Sequence, residues 1–257
     1  MTRKYCNRYC GVLLVDGKYV KIKGYERKIP VLYAIDYTTH DIPSYILSVA
    51  ENYQTCLVFF QSLRLLNYPL QAIVCDDNIN VYEACLAVYP KAHIQLCLNH
   101  YKEHIRQTLD VRIDPTYRPF IHEIELLFQY KRARQEFDRV AGKIYQKYRL
   151  DPRCSSVLTD IQKRLPMLTA YMQYHRIPRT NNLIESFNSH LQGRLKTIKG
   201  FETFKHANTW LNAYFLLRRL KKFTDCEQPF KRLNGTASLQ QSLKNPSDFR
   251  ILLKLFR

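Results

Sequence analysis

Glycine is scarce in this chain, 7 of 257 residues. No Gly-rich phosphate loop and no Gly-x-Ser-x-Gly turn occurs, which sets aside P-loop nucleotide hydrolases and hydrolases of the nucleophile-elbow kind. No apolar run reaches membrane-spanning length, and the basic start Met1-Thr-Arg-Lys has no apolar signal core behind it. The expectation is a soluble, intracellular, DNA-associated protein with no membrane partner. The 8 cysteines are scattered without the dense pattern of a disulfide framework and read as mostly reduced. No stretch is of low complexity, no internal repeat occurs, and the 19 tyrosines form no nucleophile site with an Arg-His-Arg set. Acid is the minority charge: 22 Asp+Glu stand against 40 Lys+Arg, for a net +18. Such an excess calls for a polyanionic partner, and nucleic acid comes before membrane because no basic amphipathic anchor stands apart. A merely basic surface is the competing explanation.

The chain is 46% hydrophobic, enough for a substantial core in one large domain or two small ones. Gly11 to Asp16 is an apolar run ending in an acid. Gly17 follows as a turn, and Lys18 to Ile22 alternates as a hairpin partner would. Pro30 to Asp36 and Ser44 to Ser48 read as further strands of an antiparallel meander. Then come a helix from Asn52 to Leu66, a buried strand from Leu70 to Cys75 and a helix from Val81 to Val88. A short strand from His93 to Cys97 and a helix from Asn99 to Leu109 follow. This order predicts an α/β sheet with both faces covered. From Pro115 to His175 the texture turns helical, with helices over Phe120 to Tyr148 and Ser155 to Tyr174. Leu183, Phe187, Leu191, Leu195 and Ile198 mark one face of another helix behind an Asn181-Asn182 cap. A basic-ended helix runs from Phe204 to Lys222.

The chemistry-bearing residues are carboxylates. Asp16 and Asp76 each cap an apolar strand, where functional side chains gather in open α/β sheets. Glu185 sits in the first turn of a basic helix, where an acid can also serve only to offset the helix dipole. Three converging carboxylates repel one another unless a cation lies between them. Oxygen-only ligation favours Mg²⁺ or Mn²⁺, and two such ions about 4 Å apart suit phosphodiester cleavage. Asp77 and Asp36 compete for these roles. Asp77 reads as a cap for the next helix, and Asp36 as a surface or turn residue. Cys97-Leu-Asn-His100 has zinc-ligand spacing but is half a tetrahedral site. Cys6 and Cys10 could supply the other half, but a Cys and His packed at a strand-to-helix junction is the preferred account, without zinc.

Taken in order, Val15-Asp16-Gly17-Lys18, Ile73-Val-Cys-Asp76, Cys97-Leu-Asn-His100, Arg179-Thr-Asn-Asn-Leu-Ile-Glu185-Ser-Phe-Asn188 and Leu195-Lys-Thr-Ile-Lys-Gly-Phe201 resemble the DDE transposases of the Mutator-like superfamily and related prokaryotic insertion-sequence transposases. The likeness runs from about Val12 to Lys222. It implies an RNase H-like mixed sheet flanked by helices, with an all-helical insertion before the last catalytic helix. It implies Asp16, Asp76 and Glu185 as catalytic and metal-binding residues, with Mg²⁺ or Mn²⁺ as cofactor, and Cys97 and His100 as a structural motif. DNA, both transposon ends and target, is the implied partner, and a homo-oligomer assembled on it the implied state. Arg179, Arg194, Lys196, Lys199, Arg218, Arg219, Lys221 and Lys222 are the expected DNA contacts. The expected division is a core over 1–112, an insertion over 113–177, closing helices over 178–223 and a basic tail over 224–257. Relatives carry a DNA-binding region before the first catalytic strand, whereas only Met1 to Cys10 precede it here. End recognition is then expected from another chain or from the basic C-terminal part, unless the copy is truncated. Another RNase H-like nuclease, or a non-catalytic DNA-binding relic, are the competing readings. A last expectation concerns Lys131, Arg132, Arg134, Arg139, Lys143, Lys147 and Arg149: either they grip DNA or a second protomer, or they form a solvated helix face.

Overall fold

The computed structural model describes residues 2–129, 133–174 and 176–255. After a one-turn helix, α1 (Thr2–Tyr5), comes β1 (Val12–Val20). Val12 to Val15 are all buried, as an apolar run should be. The chain does not turn at Gly17, however, and β1 passes straight through Asp16 and Gly17. This corrects the expected hairpin there. The reason is pairing: β2 (Ile29–Asp36) lies antiparallel to β1 along its length, with Asp16 opposite Tyr33 and Lys18 opposite Val31. A full ladder of backbone bonds outweighs one glycine's local turn preference. The turn falls instead near Gly24, whose φ of +84° suits glycine.

The short β3 (Tyr45–Leu47) adds antiparallel to β2. Then α2 (Tyr53–Leu65), β4 (Ala72–Cys75), α3 (Ile79–Val88) and β5 (His93–Leu96) alternate. Asn52 caps α2 by accepting from Thr55 N–H at 3.0 Å. The hydrogen-bonded strand order is β3-β2-β1-β4-β5. Neighbouring strands joined through a helix run parallel, so β4 and β5 make the sheet mixed. It is the α/β arrangement of a mixed sheet flanked by helices that the sequence calls for. After β5 come α4 (Leu98–Thr108), α5 (Arg118–Gln129), α6 (Arg134–Tyr148), α7 (Pro152–Leu168) and α8 (Ala170–Gln173), with no strand among the described residues. The single helix expected over Phe120 to Tyr148 is two, and Ala133 is extended at the head of the second. The chain continues through α9 (Asn182–Ile198), α10 (Phe204–Leu220), α11 (Ser238–Ser242) and α12 (Asp248–Leu255).

Two compact units result. Met1–Ile73, Asn78–Ala92 and Asn181–Arg257 form the first; Val74–Asp77 and His93–Thr180 form the second. In the first, α9 packs on β1. Asp36, expected as a surface or turn residue, stands at the turn that ends β2 but is fully buried. It accepts from the nearby Thr39 N–H and from two groups distant in sequence, Cys10 N–H and the Tyr68 hydroxyl, and these partners satisfy the buried carboxyl group. Arg219 and Asp41 form a buried bidentate pair at 2.7 and 2.8 Å. Cys6 packs with Ala237, Leu239, Leu243, Phe249 and Leu252, so residues on either side of the sheet's own sequence share one apolar cluster. In the second unit the wholly buried Gln95 of β5 donates to Leu168 O and accepts from Tyr171 N–H. One satisfied amide thus ties the strand to α7 and α8.

Candidate active-site carboxylates

Asp16 is half-buried within β1. Its Oδ1 accepts from Gly17 N–H at 2.6 Å, and its Oδ2 accepts from the Asn188 side-chain amide. Asn188 is itself buried on α9, and its Oδ1 accepts from the Tyr33 hydroxyl at 2.8 Å. Burial, and after it the Asp16 charge, push the Tyr33 phenol well above its usual range, so it stays a donor. A phenol that donates fixes the Asn188 oxygen toward itself and the NH₂ toward Asp16. Tyr33, Asn188 and Asp16 form a relay in which each orientation follows from the last.

Glu185 lies in the first turn of α9 behind the Asn181 cap, three residues before Asn188. The buried face of this helix is Ile184, Phe187, Asn188 and Leu191. Leu183, Leu195 and Ile198 of the expected stripe are only half-buried. The difference comes from Asn188, a polar residue on the apolar face because it serves Asp16. The Lys199-Gly200-Phe201 run ends the helix. Lys199 is left-handed at φ 58°, and Phe201 N–H donates to Lys21 O at 2.8 Å. A Cβ on Gly200 would lie 3.3 Å from that same carbonyl. The motif thereby anchors α9 to the end of β1.

In the second unit, Asp76 follows β4 directly, while Cys97 heads α4 and His100 sits in that helix's first turn. Cys97 N–H donates to Cys75 O at 2.8 Å, which draws the two strand ends together. His100 Nδ1 meets Asp76 Oδ1 at 2.6 Å, and ligand atoms of Asp76, Cys97 and His100 all lie within 4.8 Å of one another. Hydrogen bonding to Asp76, and next to Cys97, raises His100 to about 11. The adjacent acid has a different job. Asp77 is ion-paired with Arg164, which also holds Asp160 at 2.8 Å. It does not cap the next helix, as expected from its position: Asn78 caps α3, accepting from Asn80 N–H. Two neighbouring acids therefore point to different partners.

Among the expected DNA contacts, Arg194, Lys196, Lys199, Lys221 and Lys222 are exposed. Arg179 donates to Gln129 O at 2.6 Å, and Arg218 lies over the Phe187 ring at 4.6 Å. Arg219 is the exception. It is 5% exposed and locked to Asp41, so it is withdrawn from any DNA-facing set. In the helical region Arg134 pairs with Asp138 and Lys147 with Glu123, while Lys131 and Arg132 lie outside the described residues. No helix among the described residues is long and apolar enough to cross a membrane. Sequence reasoning missed Asn188. The available signal was a polar residue recurring with Ile184, Phe187 and Leu191 at helical spacing.

Comparison with known proteins gives three findings. The sequence model described as "Transposase, Mutator family" matches residues 2–216. A "Transposase for insertion sequence element IS1201" from Lactobacillus helveticus is 24% identical over 218 residues, which cover 81% of this chain and 57% of that protein. The chain thus spans little more than half the length of this curated relative. Among solved structures, one described as the HTLV-2 integrase catalytic core domain in complex with magnesium (dimeric form) is 18% identical. It covers 42% of this chain and 75% of its own, with a TM-score of 0.28.

Proposed function

Because this chain belongs to the Mutator family of transposases, we propose that it carries the catalytic centre for DNA strand cleavage and strand transfer. Asp16, Asp76 and Glu185 are the reactive carboxylates. The observation that carries this reading is the relay onto Asp16: Asn188, one turn from Glu185, orients an aspartate on the strand against which α9 packs.

The residues suit a hard divalent cation. Gly17 N–H and the Asn188 amide, both neutral donors, fix the direction of the Asp16 carboxylate. Carboxylate oxygens are the preferred ligands of Mg²⁺ and Mn²⁺. Asp16, Asp76 and Glu185 would hold the ions. When bound, Mg²⁺ or Mn²⁺ supplies Lewis-acid stabilisation of charge on the phosphate oxygens. The protein's share is to orient the carboxylates. Cys97 and His100 are assigned to holding Asp76 rather than to a zinc ion. Among the described residues their group counts three donors, one short of a closed structural zinc site.

The reaction is an in-line displacement at phosphorus. Water attacks first, forming one P–O bond as the strand's P–O3′ bond breaks and leaving a 3′-hydroxyl. That hydroxyl then attacks target DNA, joining to its phosphorus and releasing a target 3′-oxygen. No covalent enzyme intermediate is needed. Exposed lysines and arginines hold the DNA backbone without reading sequence, and the working form is a homo-oligomer on DNA. The test is product analysis with Mg²⁺, using the purified chain and DNA containing the segments that flank its gene. Joined strands are expected. Asp16→Asn, Asp76→Asn and Glu185→Gln should each lose at least about 10²–10³-fold in rate, the scale for removing one group that stabilises transition-state charge, with DNA binding kept. Asp77→Asn should stay active. Cleavage without joining, or an inactive Asp77→Asn beside an active Asp76→Asn, would overturn the assignment.

A further inference from the structure

Helix α10 has two apolar faces. Ala207, Leu211, Phe215 and Arg219 are buried. On another face Trp210, Tyr214 and Leu217 follow at steps of four and three, and Leu217 is 67% exposed. A surface helix needs one apolar stripe for its core; a second, half-buried at Trp210 and Tyr214 and open at Leu217, marks a contact site.

This second face forms one wall of a groove of about 550 Å³, and His190 and Arg194 on α9 contribute to its lining. Its aromatic residues are already ordered. Trp210 and Tyr214 stack at 5.3 Å between centroids and 12° between planes, and Phe201 lies 5.6 Å from the Trp210 ring. Its charged residues have one sign. Arg194, Arg218 and Lys221 line it, and among the described residues no acid does.

We propose that this groove binds single-stranded DNA, with unpaired bases on the Trp210–Tyr214 stack and phosphates on Arg194, Arg218 and Lys221. The proposal deepens the strand-transfer reading and rests on it. Charge complementarity selects a polyanion over an apolar peptide or a second copy of this basic chain. The aromatic rings then select among polyanions. Duplex bases are stacked on one another and offer no face to a side chain, whereas unpaired bases stack on aromatic groups whatever their sequence. Strand transfer creates such bases wherever a cut end leaves its duplex.

The chain offers a direct probe, because Trp210 is its one tryptophan. The full chain is titrated with an oligothymidylate, a duplex of the same length and heparin, while tryptophan emission is followed. Oligothymidylate should quench the emission, and duplex and heparin should not. Tyr214→Leu, and separately Arg194→Ala with Arg218→Ala, should each weaken oligothymidylate binding at least about tenfold, within the range for loss of one base stack. Equal quenching by all three ligands would overturn the proposal, reducing the groove to a general polyanion surface. Oligothymidylate binding with unchanged emission would also overturn it. So would a concentration-dependent dimer that Leu217→Asp abolishes, since the groove would then be a contact between copies. The emission readout needs no turnover. Quenching without any strand joining would therefore sink the strand-transfer reading and leave the groove standing, while joining without quenching would do the reverse.

Discussion

Asp16 and Asp41 belong to the same unit, carry the same charge and are each gripped by several donors, yet their surroundings differ in kind. Asp41 is wholly buried. Burial alone would raise its carboxyl, but the Arg219 guanidinium, with help from Ser242, holds it below the usual range. A cation cancels its charge. Asp16 is half-buried and held by the amides of Gly17 and Asn188. Both donors are neutral, and both fix the direction of the carboxylate. Asp41 is thus matched by a buried guanidinium, whereas an α9 side chain, Asn188, reaches across to orient Asp16 on β1.

The sharpest way to break the comparison is Arg219→Ala. It leaves Asp41 ionised and buried without its cation, and should cost about 3–5 kcal/mol of stability. Urea melts would show this, with Arg218→Ala as the neighbouring control expected to change little. If Arg219→Ala melts like the parent, the Asp41 region is not the structural anchor described. The next effect in size is a pH dependence. His40 is buried among Phe187, Phe223 and Phe230. Burial, and after it the nearby Arg232 and Arg218, lower it to about 4. The unfolded chain takes up this proton near pH 6.5 and the folded chain only near 4. Stability should therefore fall as pH drops through that window, by up to about 3 kcal/mol at 1.36 per unit. Asn tolerates the left-handed φ of 55° at this position, so His40→Asn should flatten that part of the melt-versus-pH curve. An equally steep curve in His40→Asn would assign the effect elsewhere. The smallest effect sharpens the other side of the comparison. Asn188→Ala should lower metal-dependent activity about 10–100-fold, as loss of a ligand-orienting partner does, and leave DNA binding unchanged. Full activity in this variant would remove the relay from Tyr33 to Asp16.

Parts of this architecture could be read directly. Asp76 stands where an apolar strand stops, and Cys97-x-x-His100 crosses a strand-to-helix junction, so local pattern and final structure agree. Where they diverge, the cause is a partner far away in sequence. Gly17 looks like a turn until β2 pairs across it. Asp36 looks like a surface turn until Tyr68 and Cys10 close over it. Arg219 looks like one of four similar basic residues. It nevertheless continues the series Ala207, Leu211, Phe215 at steps of four, which places it on the buried face, a signal that residue type alone conceals. Nothing local distinguishes Asp76 from Asp77; their divergence needs His100 on one side and Arg164 on the other.

The cluster joining Cys6 to Leu243 also bears on the time course of folding. Asn7 and Arg8 donate to Ser242 O, and Lys244 N–H donates to Tyr5 O. These bonds join segments separated by more than nine-tenths of the sequence, about as non-local as contacts can be. Contacts of such span form slowly, because the intervening chain must first be ordered. On the ribosome, residues 93–180 are all present while α9 to α12 are still unmade. The second unit can collapse around β5 at that stage, whereas the first must keep β1 and α1 waiting. The strand that bears Asp16 therefore receives its covering helix α9 late in synthesis.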